Sequence, residues 1–303
     1  MRYTRTGIIV ALVGAEIFIA GAILALLGGH HGWAVAAATA NAAPLRTIEA
    51  FDAGSAPRIQ IDDADSRVTV SVSTDGRVHV ADESRYGGMR WGDSPPGLTA
   101  ERTGDGVRIF RPSAGQWSMF GWEDRRISVQ VPAGAAVEIA HCAGADVSGL
   151  SGAVSVVSDD GDIAARDITG NVQLQTADGH VEVQNVRAER LEVASDDGHL
   201  TLRDVAVQTL QATTKDGSIE ATGLRANGGE IRTDDGGVNL AFDAVNLSIQ
   251  ARTDDGNVTF DGRNTDSGNA DSSSGFFHVG SGGGQLLVSS GDGDIHILTN
   301  GAS

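Results

Sequence analysis

The sequence predicts an all-β protein, a β-solenoid (β-helix) with rungs of about 19 residues behind an N-terminal transmembrane helix. Three observations predict this fold. They are a long apolar run near the N-terminus, a Ser/Thr-x-Asp-Gly-x-apolar pattern that recurs through the second half of the chain, and alternation of apolar and polar residues around each copy. Together they divide the chain into four segments, 1–27, 28–45, 46–153 and 154–303.

The composition limits the partners and the chemistry of the chain. Of the 303 residues, 41 are Gly without the every-third-position spacing of collagen, and 40% are hydrophobic, which is enough for a core. The formal net charge is −18, which argues against nucleic acid as a partner. The single cysteine, Cys142, permits neither an internal disulfide nor a cysteine-rich metal site.

The first segment, residues 1–27, is predicted to be a cytoplasmic N-terminus followed by a membrane anchor. Residues 7–27 are apolar except for Glu16, and their length matches the roughly 20 residues that cross a bilayer as a helix. A carboxyl group near the middle of the membrane makes Glu16 a candidate functional residue. Small residues spaced four apart in this helix would permit a homo-oligomer. Residues 28–45 form an exit tether.

The positions of basic residues predict the orientation of this anchor. Arg2 and Arg5 precede the apolar run and no basic residue follows until Arg46, so the positive-inside rule exports the remainder of the chain. The alternative is a cleaved signal peptide with small-residue sites at 38–40 or 40–42. The apolar stretch of a signal peptide is normally only about 7–15 residues long, which favours an uncleaved anchor.

A repeated pattern organises the last segment, residues 154–303. The glycines of successive copies are 18, 19, 19, 19, 20 and 37 residues apart, and a degenerate copy at Gly275 divides the last interval, giving eight rungs. The copies run through Ser158–Gly161, Thr176–Gly179, Ser195–Gly198, Thr214–Gly217, Thr233–Gly236, Thr253–Gly256 and Ser290–Gly293.

The residues that follow each turn glycine predict buried strands. The second and fourth are apolar in every copy, as in Ile163 and Ala165, and polar or small residues lie between them. One rung cannot bury such a face alone, whereas stacked rungs form a continuous core. An antiparallel sandwich of hairpins is the rival fold. In the turns, glycine is expected to supply positive φ, aspartate to cap, and the Ser/Thr hydroxyls to form a ladder.

Residues 46–153 also alternate, but with a blurred period. Strand-like stretches lie at 58–80, 107–111 and 127–139, and we predict irregular first coils that also cap the N-terminal end of the solenoid. The polar, Gly-rich segment 261–271 is predicted to be a protruding loop.

One segment carries a resemblance to a known family. The pattern Ile127-x-Val129-x-Val131-Pro132-Ala133-Gly134-x-x-Val137-x-Ile139, followed by the repeated rungs, resembles the bacterial family called domain of unknown function 4097, the putative adhesins. The resemblance covers about residues 46–300 and implies a β-strand-repeat fold on the cell envelope. It brings no catalytic residues.

The turn aspartates are the candidate metal ligands. Stacked carboxylates repel one another unless they are solvated, hydrogen-bonded or bridged by a cation such as calcium. Turn capping is the simpler interpretation, and no other cofactor is predicted. The candidates are Asp160, Asp178, Asp197, Asp216, Asp235, Asp255 and Asp292.

A cluster of aromatic and basic residues between positions 86 and 126 is the candidate binding surface. Trp and Arg are common interface anchors, although a cap over the end of the solenoid would need the same bulky residues. The candidates for partner binding are Trp91, Trp117, Phe120, Trp122 and Arg125.

These features predict a membrane-anchored extracytoplasmic protein, adhesin-like, that binds or scaffolds and has no catalytic activity. Its predicted location is a bacterial cytoplasmic membrane, with the N-terminus inside and an envelope protein or polysaccharide as partner. The alternative is a polysaccharide-active β-helix enzyme, a lyase or hydrolase, which would need carboxylates converging in a walled groove.

Overall fold

Short strands with alternating buried and exposed residues make up the folded part of the chain. The computed structural model describes residues 46–91, 97–112, 117–243, 246–261, 263–264, 273–280 and 283–299. In these ranges every helix or strand is a strand, as predicted, and the strands are β1 (Arg46–Phe51), β2 (Arg58–Asp62), β3 (Ser66–Val72), β4 (Val78–Asp82), β5 (Arg85–Trp91), β6 (Thr99–Arg102), β7 (Gly106–Phe110), β8 (Trp117–Val131), β9 (Ala136–Cys142), β10 (Ala145–Ser148), β11 (Val154–Ser158), β12 (Ile163–Ile168), β13 (Val172–Thr176), β14 (Val181–Ser195), β15 (Leu200–Thr214), β16 (Ile219–Ala226), β17 (Gly228–Thr233), β18 (Val238–Phe242), β19 (Leu247–Thr253), β20 (Val258–Phe260), β21 (Arg263–Asn264), β22 (Ser274–Val279), β23 (Gly284–Ser290) and β24 (Ile295–Thr299).

The predicted anchor and tether, including Glu16, lie outside the described residues. In the part of the chain that is described, no helix is long and apolar enough to span a membrane. The all-β architecture therefore applies to the chain from residue 46 onward.

The strands stack into two parallel sheets that meet at the turn between the two strands of each rung. The first sheet contains the strand before each turn, in the order β2-β9-β11-β13-β14-β15-β17-β23-β19. The second sheet contains the strand after each turn, in the order β3-β10-β12-β14-β15-β16-β18-β24-β20. β14 and β15 belong to both sheets because each passes around the opposite corner.

The apolar columns predicted from the sequence lie in register inside this stack. In the second sheet Ile163, Val181, Leu200, Ile219 and Val238 are successive parallel partners. None of the five is more than 1% exposed. Equivalent side chains of successive rungs therefore superpose, which confirms the solenoid-like stack and excludes separate hairpins for these rungs.

The order of the last rungs differs from the prediction. The degenerate copy at Gly275 is not a rung, because β22 runs antiparallel to β19. The final strand pair, β23 and β24, lies between the rung of β17 and β18 and that of β19 and β20. The chain thus builds the outermost rung first and then returns to fill the position beneath it.

This inserted order predicts a specific pattern of crosslinking. Glu230 and Leu287 are neighbours on β17 and β23, whereas Gln250 lies one strand further along the same row. A short thiol crosslinker should join Glu230→Cys to Leu287→Cys but not to Gln250→Cys, which would be about 9.6 Å away at the usual strand spacing. The buried Cys142 should not interfere. Crosslinking of Glu230→Cys to Gln250→Cys instead, measured by peptide mass mapping, would contradict the inserted order.

The stack also extends towards the N-terminus beyond residue 154. β2 and β9 pair in register in the first sheet, and β3 and β10 pair in the second. Beyond them, β7 pairs parallel with β2 and β8 pairs parallel with β3, and β4 and β6 close this end by antiparallel pairing with β8 and β7 respectively. Antiparallel strands at the end of a parallel stack limit edge-to-edge association.

The turn glycines are needed for a different reason from the one predicted. Positive φ is absent from the turn glycines and occurs instead at the opposite corner, at Asp167, Asn185, Asp204 and Gly223. A Cβ built on Gly198 would lie 1.8 Å from the carbonyl oxygen of Gly179 in the preceding rung. Close approach of backbones, and not a left-handed conformation, therefore requires glycine in these turns.

Candidate functional site

The Ser/Thr column forms a regular ladder of hydrogen bonds at the turn corner. The Ser195 hydroxyl accepts the backbone N–H of Gly198 in its own turn at 2.9 Å, and the Thr214 hydroxyl of the next rung donates to the Gly198 carbonyl oxygen at 2.9 Å. Ser195 donates in the same way to Gly179 at 3.1 Å. The hydroxyls bond to backbone of the preceding rung, so this column joins rungs and is not available to a ligand.

The aspartate column faces solvent. All seven candidates have exposed side chains, because the turn directs them away from the core. Among the described residues, no group of three or more His, Cys, Asp or Glu side chains is placed to hold a metal ion. The calcium interpretation therefore stays a prediction without a preformed site in the described chain. The seven are Asp160, Asp178, Asp197, Asp216, Asp235, Asp255 and Asp292.

Two histidines next to this column have structural hydrogen bonds. The rings of His180 and His199 stack with centroids 5.2 Å apart. The Nδ1 atom of His180 accepts the backbone N–H of His199 at 3.1 Å, and that of His199 accepts the backbone N–H of Ser218 at 3.0 Å. One nitrogen of each ring is thus occupied by the next rung.

A buried ion network lies where the cap meets the first rung. The guanidinium of Arg111 donates to Asp63 at 2.9 Å and to Asp82 at 3.0 and 3.2 Å. These side chains are only 4%, 3% and 9% exposed. Burial opposes ionisation of Asp82, but the hydrogen bonds from Arg111 and Ser84 outweigh it and lower the pKa of Asp82. The network joins the end of β2, the end of β4 and the end of β7.

The predicted aromatic cluster is only partly described. In the backbone, Trp91 pairs with Trp117 and Met89 with Phe120 in the hairpin of β5 and β8. The side chains of Trp91, Trp117 and Phe120 lie outside the described residues, whereas that of Trp122 is 52% exposed. This exposure is compatible with a contact surface, and the role of the cluster in binding stays a prediction.

Arg125, the basic member of that prediction, is engaged within the protein. Its guanidinium lies 2.8 Å from Asp65, 2.7 Å from Glu123 and 3.9 Å from Asp63. Only 19% of the side chain is exposed. Arg125 thus extends the buried network of Arg111 towards the surface.

A groove that the sequence pattern does not predict crosses the outer face of the first sheet. It has a volume of about 480 Å³ and runs across β2, β9, β11, β13 and β14. The space of the groove lies above small residues. Ala136, Ala153 and Ser155 occupy outward positions on neighbouring rungs and form its floor. Arg58 borders one end and Arg190 the other. Consecutive small residues at outward positions were the available signal in the sequence.

Carboxylates in this groove are widely spaced. Glu138 and Glu192 lie in one row across the sheet, with Ser155 and Gln173 between them. Three strand spacings separate the two glutamates by roughly 14 Å, beyond the 5–9.5 Å between the paired carboxyls of most glycosidases. Arg58 donates to Glu138 at 2.6 Å, and this bond, with one from Gln60, lowers the pKa of Glu138. Glu138 and Glu192 therefore do not form the closely spaced carboxyl pair of such enzymes.

The single thiol is buried away from this groove. Cys142 is fully buried at the end of β9, and burial raises the pKa of its thiol. A thiol with a raised pKa is a poor nucleophile at neutral pH.

Comparison with family models identifies the chain. The model described as Toastrack DUF4097 matches residues 56–298. The chain belongs to this family. The match covers the stack from just before β2 to near the end of β24, and it confirms the resemblance based on the rung motifs. In this Toastrack protein, the family match spans both the cap and the groove.

Three solved structures resemble this Toastrack protein at low identity. A putative adhesin from Bacteroides fragilis is 15% identical, with 84% of this chain and 97% of that chain covered and a TM-score of 0.40. A putative cell adhesion protein from Clostridium sporogenes is 11% identical, with 84% and 100% covered and a TM-score of 0.30. A putative lipid binding protein from Parabacteroides distasonis is 10% identical, with 85% and 97% covered and a TM-score of 0.45. Comparison with curated proteins gives no match.

Proposed function

We propose that this Toastrack protein is a membrane-anchored extracytoplasmic protein of the bacterial cell envelope that binds or scaffolds and does not catalyse a reaction. Residues 7–27 anchor it in the cytoplasmic membrane with the N-terminus inside. The stack from residue 46 onward then projects from the outer face of that membrane and presents its outward rows to a partner.

The observation that supports this proposal best is the use of polar side chains along the stack. The Ser/Thr hydroxyls of the turn column and the Arg111 network are satisfied by internal hydrogen bonds, so they serve the fold. Repeated outward rows of the two sheets and the groove remain as surfaces for contact. A regular stack of this kind supports extended binding surfaces better than it supports a catalytic centre, which needs several groups converging on one point.

Protease access in cells tests the location. The full-length chain with a C-terminal tag should remain in the membrane after alkaline carbonate extraction, and protease added to spheroplasts should digest the tagged part. Deletion of residues 7–27 should leave the tagged part protected in the cytoplasm. Release of the full-length chain by carbonate, a mature N-terminus near residue 41, or protection of the tag would each overturn the proposed anchor or its orientation.

Product analysis tests the absence of catalysis. The purified full-length chain, incubated with envelope polysaccharide, should release neither new reducing ends nor unsaturated sugars above the level of a heat-denatured sample. Release that is lost on Glu138→Gln and Glu192→Gln substitution would overturn the proposal in favour of a polysaccharide-active enzyme.

A further inference from the structure

The β14 end of the groove on the first sheet differs in how its charges are paired from the second sheet at β10, β12, β14 and β15. On the second sheet, Arg166 lies 3.0 Å from Asp146 and 2.7 Å from Glu182, and Arg203 lies 2.7 Å from Glu182. These side chains form a row of ion pairs that joins neighbouring rungs. Such a face has little unpaired hydrogen-bonding capacity for a ligand.

Arg58 pairs with Glu138 at one end of the groove, whereas the charged and amide groups towards β14 are free among the described residues. The guanidinium of Arg190, the carboxylate of Glu192 and the amide of Gln173 make no side-chain hydrogen bond or ion pair to any described residue. Asn171 uses its Oδ1 atom to accept the Arg190 backbone N–H at 3.0 Å, which fixes its side chain, and its amide N–H groups donate to no described residue. These four residues form one wall of the groove.

The shape of the groove selects an elongated ligand. From Arg58 on β2 to Arg190 on β14 the groove crosses four strand spacings, roughly 19 Å. Equivalent positions repeat at each strand, about every 4.8 Å. That repeat is close to the length of one sugar ring in a β-1,4-linked chain, so a chain laid across the strands would place about one ring on each strand.

The chemistry of the lining selects a neutral, polyhydroxylated ligand. Two arginines face three carboxylates, those of Asp105, Glu138 and Glu192, so the groove attracts neither polyanions nor polycations strongly. Planar amide, carboxylate and guanidinium groups bond well to pairs of adjacent hydroxyls, and the methyl groups of Ala136 and Ala153 provide an apolar floor. The strands of the floor are paired on both sides, so a peptide could not join them as an added strand.

We infer that this groove binds a neutral β-linked oligosaccharide of the envelope, laid across β2 to β14 with its hydroxyls on Asn171, Gln173, Arg190 and Glu192. The inference rests on the proposed envelope location, where such chains are present. It assigns the ligand class and the site that the proposed function leaves unnamed.

Calorimetric titration of the full-length chain in lipid nanodiscs, with chitotetraose and cellotetraose as probes, tests this inference. At least one probe should bind, and Ala153→Phe, which fills the floor, should weaken binding by at least about tenfold. Glu192→Gln, which keeps the shape of the side chain, should weaken it severalfold. Thr209→Phe is the matched control, because Thr209 is exposed in the same row one strand beyond Arg190, and it should leave binding unchanged.

Three outcomes would overturn the oligosaccharide site. They are no binding of either probe, equal binding by Ala153→Phe and the unsubstituted chain, and tighter binding of the anionic trigalacturonate. Since Ala153 is exposed, Ala153→Phe should keep its melting temperature, and Glu192→Gln provides an independent variant if it does not. A chain that faces outward in spheroplasts but binds no probe refutes only this inference, whereas a protected chain refutes the proposed function whatever it binds.

Discussion

Arg111→Leu is expected to lower the free energy of unfolding by about 3–5 kcal/mol, the usual effect of removing one partner from a buried ion pair. The Arg111 guanidinium is 4% exposed and is shared between Asp63 and Asp82. Without the guanidinium, both carboxylates stay in a nearly dry site. The nearest described cation to Asp63 is then Arg125, at 3.9 Å, which is too far for a hydrogen bond. Urea denaturation of the full-length chain in detergent measures the change.

Arg108→Leu is the matched control for this substitution. Arg108 lies on β7, three residues before Arg111, but its side chain is half exposed, 3.9 Å from Asp62 and over the ring of Phe110. A screened surface pair and an exposed cation–π contact predict a loss below about 1 kcal/mol. Equal losses for Arg108→Leu and Arg111→Leu would show that the buried network does not stabilise the cap.

The same network predicts how the stabilities of the unsubstituted chain and of Arg111→Leu respond to acid. The pKa of Asp82 is lowered in the folded state, so its contribution to stability is complete above the ordinary aspartate pKa and is lost as pH falls through the lowered value. The unsubstituted chain should therefore lose stability below about pH 4. The difference between it and Arg111→Leu should be large at pH 7 and shrink at pH 3. A difference that is constant with pH would contradict this assignment.

Gly236→Ala is expected to destabilise the stack by about 3 kcal/mol or more, because a Cβ at this position overlaps the preceding rung. The Cβ would lie 2.1 Å from the Gly217 carbonyl oxygen and 3.0 Å from the Thr233 hydroxyl. Neither is the end of a flexible side chain, so the rungs must separate locally. Differential scanning fluorimetry and hydrogen exchange in β17 and β18 measure the effect.

The adjacent glycine provides the control. A Cβ on Gly237 would meet only the Asp294 carbonyl oxygen at 3.5 Å, an ordinary contact, and its φ is not positive. Gly237→Ala should therefore change stability by less than about 1 kcal/mol, and in the stabilising direction if the unfolded chain loses freedom. If the two substitutions are equally harmful, the flexibility of glycine, and not close approach of the rungs, explains why glycine recurs in this turn pattern.

For these glycines, the sequence predicts the positions of the turns correctly but not the reason that glycine is required there. The position of each turn followed from the repeated pattern, but the wrong cause was assigned, because a glycine that avoids a clash with another rung looks the same in sequence as one that adopts positive φ. The residues that do have positive φ, such as Asp167 and Asn185, lie at the opposite corner of the rung. Local pattern locates a turn, whereas the contact that requires glycine comes from a residue about 19 positions away.

The sequence by itself determined that the chain is a stack of two-stranded rungs, because alternation of apolar residues and the recurring turn are local properties of each rung. Only the tertiary structure decided that β23 and β24 enter between earlier rungs, since every rung presents a similar apolar face and the pattern allows it to stack on any other. The same holds for Asp63, Asp82 and Arg111, which lie far apart in the sequence and meet only where the cap folds onto the first rung. The groove, too, exists because small residues of consecutive rungs become neighbours through stacking.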